Sequence, residues 1–399
     1  MAPLRLLTFT TLYPNAEQPN HGIFVENRLR HLVAGGGVTS TVLAPVPYFP
    51  SGASAFGTWS RYARVPREEE RAGLRVHHPR YLVIPRIGTT LAPVFLYRAA
   101  AQFLDRAVRH GLEFDAIDAH YVYPDGVAAT WLGRRSRRPV VITARGSDVS
   151  LLPRYPAPRR LIRRAITASD ALIAVSTSLK DALVELGAPP DKVTVLRNGV
   201  ETALFRPMPR DTQREALGLS GPVLLSVGHL IERKGHHRTI EAMPDLPGFT
   251  LLIAGEGPER ARLAAQITRL GLADRVRLLG SRPHAELASL YSAADALVLA
   301  SSREGWANVL LEAMACGTPV VASNIWGNPE VVQSSEAGVI FEPNTPAGIA
   351  AGVKGLFAAL PARGATRAYA ERFSWDETTA GQRRVFEHVL GSGAAPAGR

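Results

Sequence analysis

One cysteine in 399 residues, Cys316, leaves no internal disulfide to form and suits a reducing compartment. Lysine is nearly as scarce. Only Lys180, Lys192, Lys234 and Lys354 occur among 46 basic residues, so arginine carries the positive charge. No run of eighteen apolar residues exists, which excludes a membrane-spanning helix, and the first ten residues turn polar too soon for a signal peptide. They read instead as a first strand. No Asp-x-Asp pair, His-Glu-x-x-His, Gly-x-Ser-x-Gly or Walker-type lysine loop occurs. The expectation is chemistry without a bound metal ion or resident cofactor. Gly255-Glu256-Gly257 lacks the third glycine and the downstream acid of a dinucleotide fingerprint.

What charge there is sits unevenly. Residues 1–200 hold 26 Lys and Arg against 15 Asp and Glu, the whole net +11, whereas residues 201–399 hold 20 of each. A basic half points to an anionic partner. Nucleic acid is the least favoured partner and none is expected, because no recognised binding module or interleaving of basic and aromatic residues appears.

Both halves alternate short apolar runs with helix-period segments, the mark of α/β units with parallel sheets. Expected strands are 4–9, 39–43, 116–120, 140–143, 171–175 and 193–196, then 222–227, 250–254, 275–279, 296–300, 319–322 and 339–341. Expected helices include 23–32, 91–109, 159–166 and 178–186, then 237–243, 258–270, 284–293, 306–315, 346–360 and 374–390. Residues 45–70 should be loop, 198–218 a linker, and 391–399 frayed. The division expected is 1–200, 201–373 and a final helix and tail, 374–399.

The stretch from Leu299 to Pro319 carries the strongest signal. A buried strand ends in a polar turn holding Glu304, and a helix starts at about Trp306. Trp306, Val309, Leu310, Ala313 and Met314 share its core side, while Asn308 and Glu312 share the other. The free amides of Trp306, Ala307, Asn308 and Val309 at the helix mouth suit phosphate, and the two carboxylates suit hydroxyls. A nucleotide-sugar combines those groups. Arg233 and Lys234, in a turn after the 222–227 strand, can neutralise a diphosphate without a metal.

Glu304, seven residues, then Glu312-Ala313-Met314-Ala315-Cys316-Gly317-Thr318-Pro319 resembles the E-x7-E signature of glycosyltransferase family 4. The resemblance covers nearly the whole chain. It implies the GT-B fold, two facing Rossmann-like domains with a cleft between them and a last helix crossing back to the first. It also implies retaining transfer from a UDP- or GDP-sugar to a glycan or lipid-linked acceptor. Glu304 would then hold sugar hydroxyls and Glu312 the ribose, with the diphosphate on Arg233, Lys234 and the helix mouth. The loop bearing Gly22 would close over the phosphate. His229 stands where the family often has arginine, and as a histidine is a weaker clamp. Arg145 stands where the family often has histidine, so that role does not transfer; His120 is a candidate substitute, a buried and hydrogen-bonded histidine being the equal alternative, and Arg145 with Asp148 would hold acceptor hydroxyls or phosphate. Residues 11–26, from Thr11-Leu12-Tyr13-Pro14 to Glu26, resemble enzymes of teichuronic-acid-type and exopolysaccharide synthesis.

Arg154, Arg159, Arg160, Arg163 and Arg164 surround Leu151, Leu152, Leu161 and Ile162. With Arg134, Arg135, Arg137 and Arg138 they suggest a face resting on anionic lipid at the cytoplasmic side of a membrane. Two other readings stand beside the transferase: a nucleotide-sugar epimerase of related fold, and a non-catalytic nucleotide-sugar or glycan binder.

Overall fold

The computed structural model describes every residue except 1–2, 54, 56, 58, 85–87 and 393–399. The chain forms two units, Met1–Arg197 joined by Asp376–Arg399, and Asn198–Trp375.

In the first unit the apolar runs become strands buried on both faces, as parallel sheets require. The eight strands run, from one edge, Val193–Val195, Ala171–Ala174, Val140–Ala144, Ala116–His120, Leu4–Phe9, Val38–Leu43, Leu74–His77 and Glu68–Arg71. All pair in parallel except the last, which is antiparallel to its neighbour. Strand order reverses between Leu4–Phe9 and Ala116–His120, and open α/β sheets bind ligands outside the carboxyl ends of strands at such a reversal. The core on one side joins Leu6, Val25, Leu29 and Val42 to Phe386 and Val389 of the last helix, Trp375–Ser392.

The second unit has six parallel strands in the order Val276–Gly280, Thr250–Ala254, Val223–Val227, Ala296–Leu299, Val320–Ser323 and Gly338–Phe341. Its reversal lies between Val223–Val227 and Ala296–Leu299. Leu224, Ile253, Leu263, Val298, Ile349 and Val353 pack in its core.

Three expectations need correction. The 45–70 stretch contains the Trp59–Arg64 helix and the edge strand Glu68–Arg71. That strand, Glu-Glu-Glu-Arg, has no apolar face because it sits at a sheet edge with both sides partly open. The 198–218 stretch belongs to the second unit and contains the Arg210–Ala216 helix, which buries no residue and so shows no apolar stripe. The motif helix runs Asn308–Ala315, not from Trp306, because Ala307 (φ −89°, ψ 89°) is not helical. The last helix reaches Ser392, and the remainder of the expected frayed tail lies outside the described residues.

Candidate functional site

The two loops at the second unit's strand reversal are locked together. Gly235 (φ 73°) ends the turn bearing Arg233 and Lys234, and a Cβ there would stand 2.0 Å from the Ala300 carbonyl oxygen. Only glycine permits that approach. Ser302 N–H then donates to Arg233 O at 2.8 Å, and the Arg233 guanidinium to Arg303 O at 2.8 Å.

This lock brings charge to Glu304. Lys234 Nζ lies 2.6 Å from Glu304 Oε1 and Arg233 Nη1 3.5 Å from Oε2, while Ser301 Oγ donates to Oε1 at 2.7 Å. Burial by itself would raise the Glu304 pKa; Lys234, Arg233 and the hydrogen bonds overcome it and hold the carboxyl below its ordinary value. Glu304 is therefore a fixed anion. The Lys234 side chain is 15% exposed and that of Arg233 30%, so both keep a face open to a ligand.

Glu312 stands apart from that cluster. It lies just over one turn inside the helix, is buried, and accepts from His284 Nε2 at 3.1 Å and from the Tyr291 hydroxyl at 2.8 Å. Burial lowers the His284 pKa, but the Glu312 hydrogen bond and charge outweigh it and raise the ring above its ordinary value. Each Glu312 oxygen retains a lone pair for a ligand hydroxyl. Sequence reasoning missed His284 and Tyr291. Their spacing of seven, which sets two side chains on one helical face, was the available signal.

The helix mouth carries no side-chain cap. Leu310 N–H is taken by Ala307 O, so the first-turn amides of Asn308 and Val309 form the anion-facing group. Trp306 and Ala307 are buried ahead of the helix, Trp306 with its ring 6.1 Å from that of Phe373. Asn308 Oδ1 accepts from Asn198 Nδ2 at 3.2 Å. His229 is exposed and its side chain makes no hydrogen bond among the described residues.

In the first unit, His120 ends one strand flanking the reversal and is 1% exposed. Arg145 Nη2 donates to its Nδ1 at 2.7 Å, and its Nε2 lies 3.3 Å from Asp118 Oδ2. Burial, reinforced by Arg145 and opposed by Asp118, pushes its pKa down to about 4, so the ring is neutral near pH 7. Nδ1 is taken by Arg145, while the buried Nε2 has the Asp118 carboxylate beside it but no hydrogen-bond partner among the described residues, so the ring as it stands orients Arg145. Arg145 is half-buried and lies over the Phe24 ring, 5.4 Å from its centroid.

Asp148 is corrected. Its fully buried carboxylate accepts from the backbone amides of Val122, Arg145 and Gly146 at 2.7–3.2 Å, so it shapes the turn instead of holding an acceptor. At Gly22 (φ 71°) the chain's own backbone packs so closely that a Cβ would stand 2.3 Å from the Leu12 carbonyl. A polar network behind His120 was invisible in the sequence. Buried Arg28 donates through Nε to Gln382 Oε1 at 2.8 Å, and Gln382 Nε2 donates to Asp118 Oδ2 at 3.1 Å. Among the described residues no cluster of three or more His, Cys, Asp or Glu could hold a metal ion.

Residues 25–204 match the profile of glycosyltransferase family 4, and residues 209–373 that of glycosyl transferases group 1. D-inositol 3-phosphate glycosyltransferase of Acidothermus cellulolyticus is 35% identical over 321 residues, 73% of this chain and 71% of that protein. The chain belongs to glycosyltransferase family 4. A second relative in Bacillus subtilis, the candidate teichuronic acid biosynthesis glycosyltransferase TuaC, is 28% identical over 331 residues, 81% of this chain and 82% of its own. The solved structure of Anabaena HepE in complex with UDP and glucose superposes with a TM-score of 0.73 at 22% identity, covering 96% of this chain and 99% of that one. The fold is thus the GT-B type of family 4, and the protein is a transferase that uses nucleotide-sugar donors. The family's two signature carboxylates differ in surroundings here: Glu304 among cations, Glu312 among neutral and titratable donors.

Proposed function

We propose that the enzyme transfers a sugar from a UDP- or GDP-sugar to a glycan or lipid-phosphate-linked acceptor, with retained anomeric configuration and no metal ion. Its setting would be cell-surface polysaccharide synthesis at the cytoplasmic face of a membrane. The carrying observation is the Arg233–Lys234–Glu304 cluster at the strand reversal of the second unit. Departure of the nucleotide leaves negative charge on the diphosphate. Lys234 has three N–H donors and spends one on Glu304, so others remain for that charge, aided by Arg233 and the amides of Asn308 and Val309.

Glu304 accepts sugar hydroxyls while held by two cations. A carboxylate so neutralised is a poor nucleophile, which favours transfer without a covalent enzyme intermediate. Glu312 takes the ribose hydroxyls. An anionic acceptor fits the basic first half, and the names of the two relatives speak of inositol 3-phosphate and teichuronic acid. The absence of an Asp-x-Asp pair, with two cations beside the proposed diphosphate position, supports metal independence.

The test is donor turnover with purified protein and a panel of UDP- and GDP-sugars in EDTA, the product anomer read by NMR. Turnover of one donor in EDTA with a retained anomer is expected. An inverted product, or turnover only with added divalent ion, would overturn those parts of the reading, and tight donor binding without any turnover would overturn the whole.

A further inference from the structure

The Val127–Ser136 and Pro156–Ala168 helices of the first unit follow neighbouring strands, and a hollow of about 1920 Å³ runs along them. Eight arginines line it. Arg134, Arg137 and Arg138 come from the end of the first helix and the turn after it. Arg154, Arg159, Arg160, Arg163 and Arg164 come from the second helix and its approach. None of the eight has a carboxylate within ion-pair distance among the described residues; Arg135, which pairs with Asp105, is not part of the lining. The two acids in the lining are spoken for. Asp115 is bonded to Arg5 at 2.7 Å and feels Arg138 only at longer range, and Asp170 Oδ2 accepts the Val140 amide at 2.7 Å. So dense an unbalanced charge is a standing attraction for a polyanion.

The spacing narrows the class. Arg159 and Arg163, and Arg160 and Arg164, repeat at four residues, giving two rows of guanidinium groups about one helical turn, ~5.4 Å, apart. A ladder of that pitch matches a polymer with an anion on successive residues of about that length. Each fork can meet a carboxylate or phosphate in a paired fashion. Trp131, half-buried in the wall, adds an apolar surface for a sugar ring. On the second helix Pro158, Ile162, Ala165 and Ile166 are buried, while Leu161 is half-buried in the lining and Tyr155 is exposed at the helix start.

We propose that this hollow binds an anionic glycan chain, one bearing carboxylate or phosphate on successive sugars, as a carbohydrate site distinct from the donor site. The choice of a glycan over other polyanions rests on the transferase reading above. The groove would hold an already built part of the acceptor.

Fluorescently labelled oligogalacturonates of increasing length provide the probe, read by anisotropy in dilute salt. Expected are binding that tightens with length and weakens with salt, no competition from neutral malto-oligosaccharides, and at least tenfold loss in the double variant R160E/R164E. Should that variant fold poorly, R160Q/R164Q, checked by thermal melting, is expected to lose several-fold. Donor binding by calorimetry should be unchanged in both. The proposal is overturned if oligogalacturonate binds no better than the neutral chain or if the variants bind as wild type. It is equally overturned if double-stranded DNA or vesicles of anionic phospholipid displace the oligomer at lower charge concentration than unlabelled oligogalacturonate. Loss of donor turnover in wild type would instead strike the transferase reading, so the two failures are distinguishable.

Discussion

Lys234 Nζ stands 2.6 Å from Glu304 Oε1, although seventy positions separate the two residues in the chain. The contact couples the cation that would receive the leaving diphosphate to the carboxylate that would hold the sugar, so each fixes the other before a ligand arrives. Such preorganisation costs nothing at the moment of reaction.

For Lys234→Ala, turnover should fall by about 10²–10³-fold, the usual effect of removing one donor to developing charge. Donor affinity should change far less, because the diphosphate gains its extra charge only as the bond breaks. Steady-state kinetics set beside calorimetric donor binding checks the split; equal losses in both would contradict it.

Glu312→Ala removes the proposed ribose acceptor and strands the donors on His284 and Tyr291. Donor binding should weaken by about 1–3 kcal/mol. Tyr291→Phe deletes one supporting hydrogen bond and leaves the carboxylate, so its loss should be ~1 kcal/mol. Titration with the same donor ranks the two variants.

Removing the Gln382 amide as Gln382→Ala leaves the buried Arg28 guanidinium and Asp118 each short of a partner. A loss of about 2–4 kcal/mol of stability follows, visible as a lowered denaturant midpoint. Since Asp118 faces the ring that orients Arg145, the acceptor KM should rise while donor affinity is kept.

Burial holds His120 and His236 at a pKa of about 4, below the ordinary 6.5. Their contribution to stability is whole above pH 6.5 and is lost as pH falls through 4, because the unfolded chain takes up the protons first. Asp125, raised to about 7 by burial, acts oppositely: its share is whole below about pH 3.8 and fades as pH rises through 7. Burial also lowers His21, His77 and His237 and raises Asp148, so the histidines outnumber the acids and the midpoint should decline from pH 6.5 toward 4. His236→Gln should flatten that decline, and an unaltered slope would refute the assignment.

Much of this was legible in the chain. The strands Leu4–Phe9, Ala116–His120 and Thr250–Ala254 were readable to the residue, because a strand covered on both sides is a short, largely apolar run. The pairing of Arg233 and Lys234 with Glu304 was approachable, since each follows a strand of one parallel sheet. Other features are decided by tertiary contact. Glu68–Arg71 is a strand only because Leu74–His77 offers it an edge. Asp148 looks like a ligand-holding acid until three backbone amides are found on it. The value of Gln382 depends on Arg28, 354 positions away, a partnership no local pattern announces.

The last helix supplies Phe386 and Val389 to a core otherwise built from the opening strands and helix. A ribosome therefore makes the first unit's pieces on either side of the whole second unit. The second unit can fold in a single uninterrupted stretch, whereas the first waits half-built until its later segment has followed. Cuts that remove the Trp375–Ser392 helix should accordingly injure the first unit.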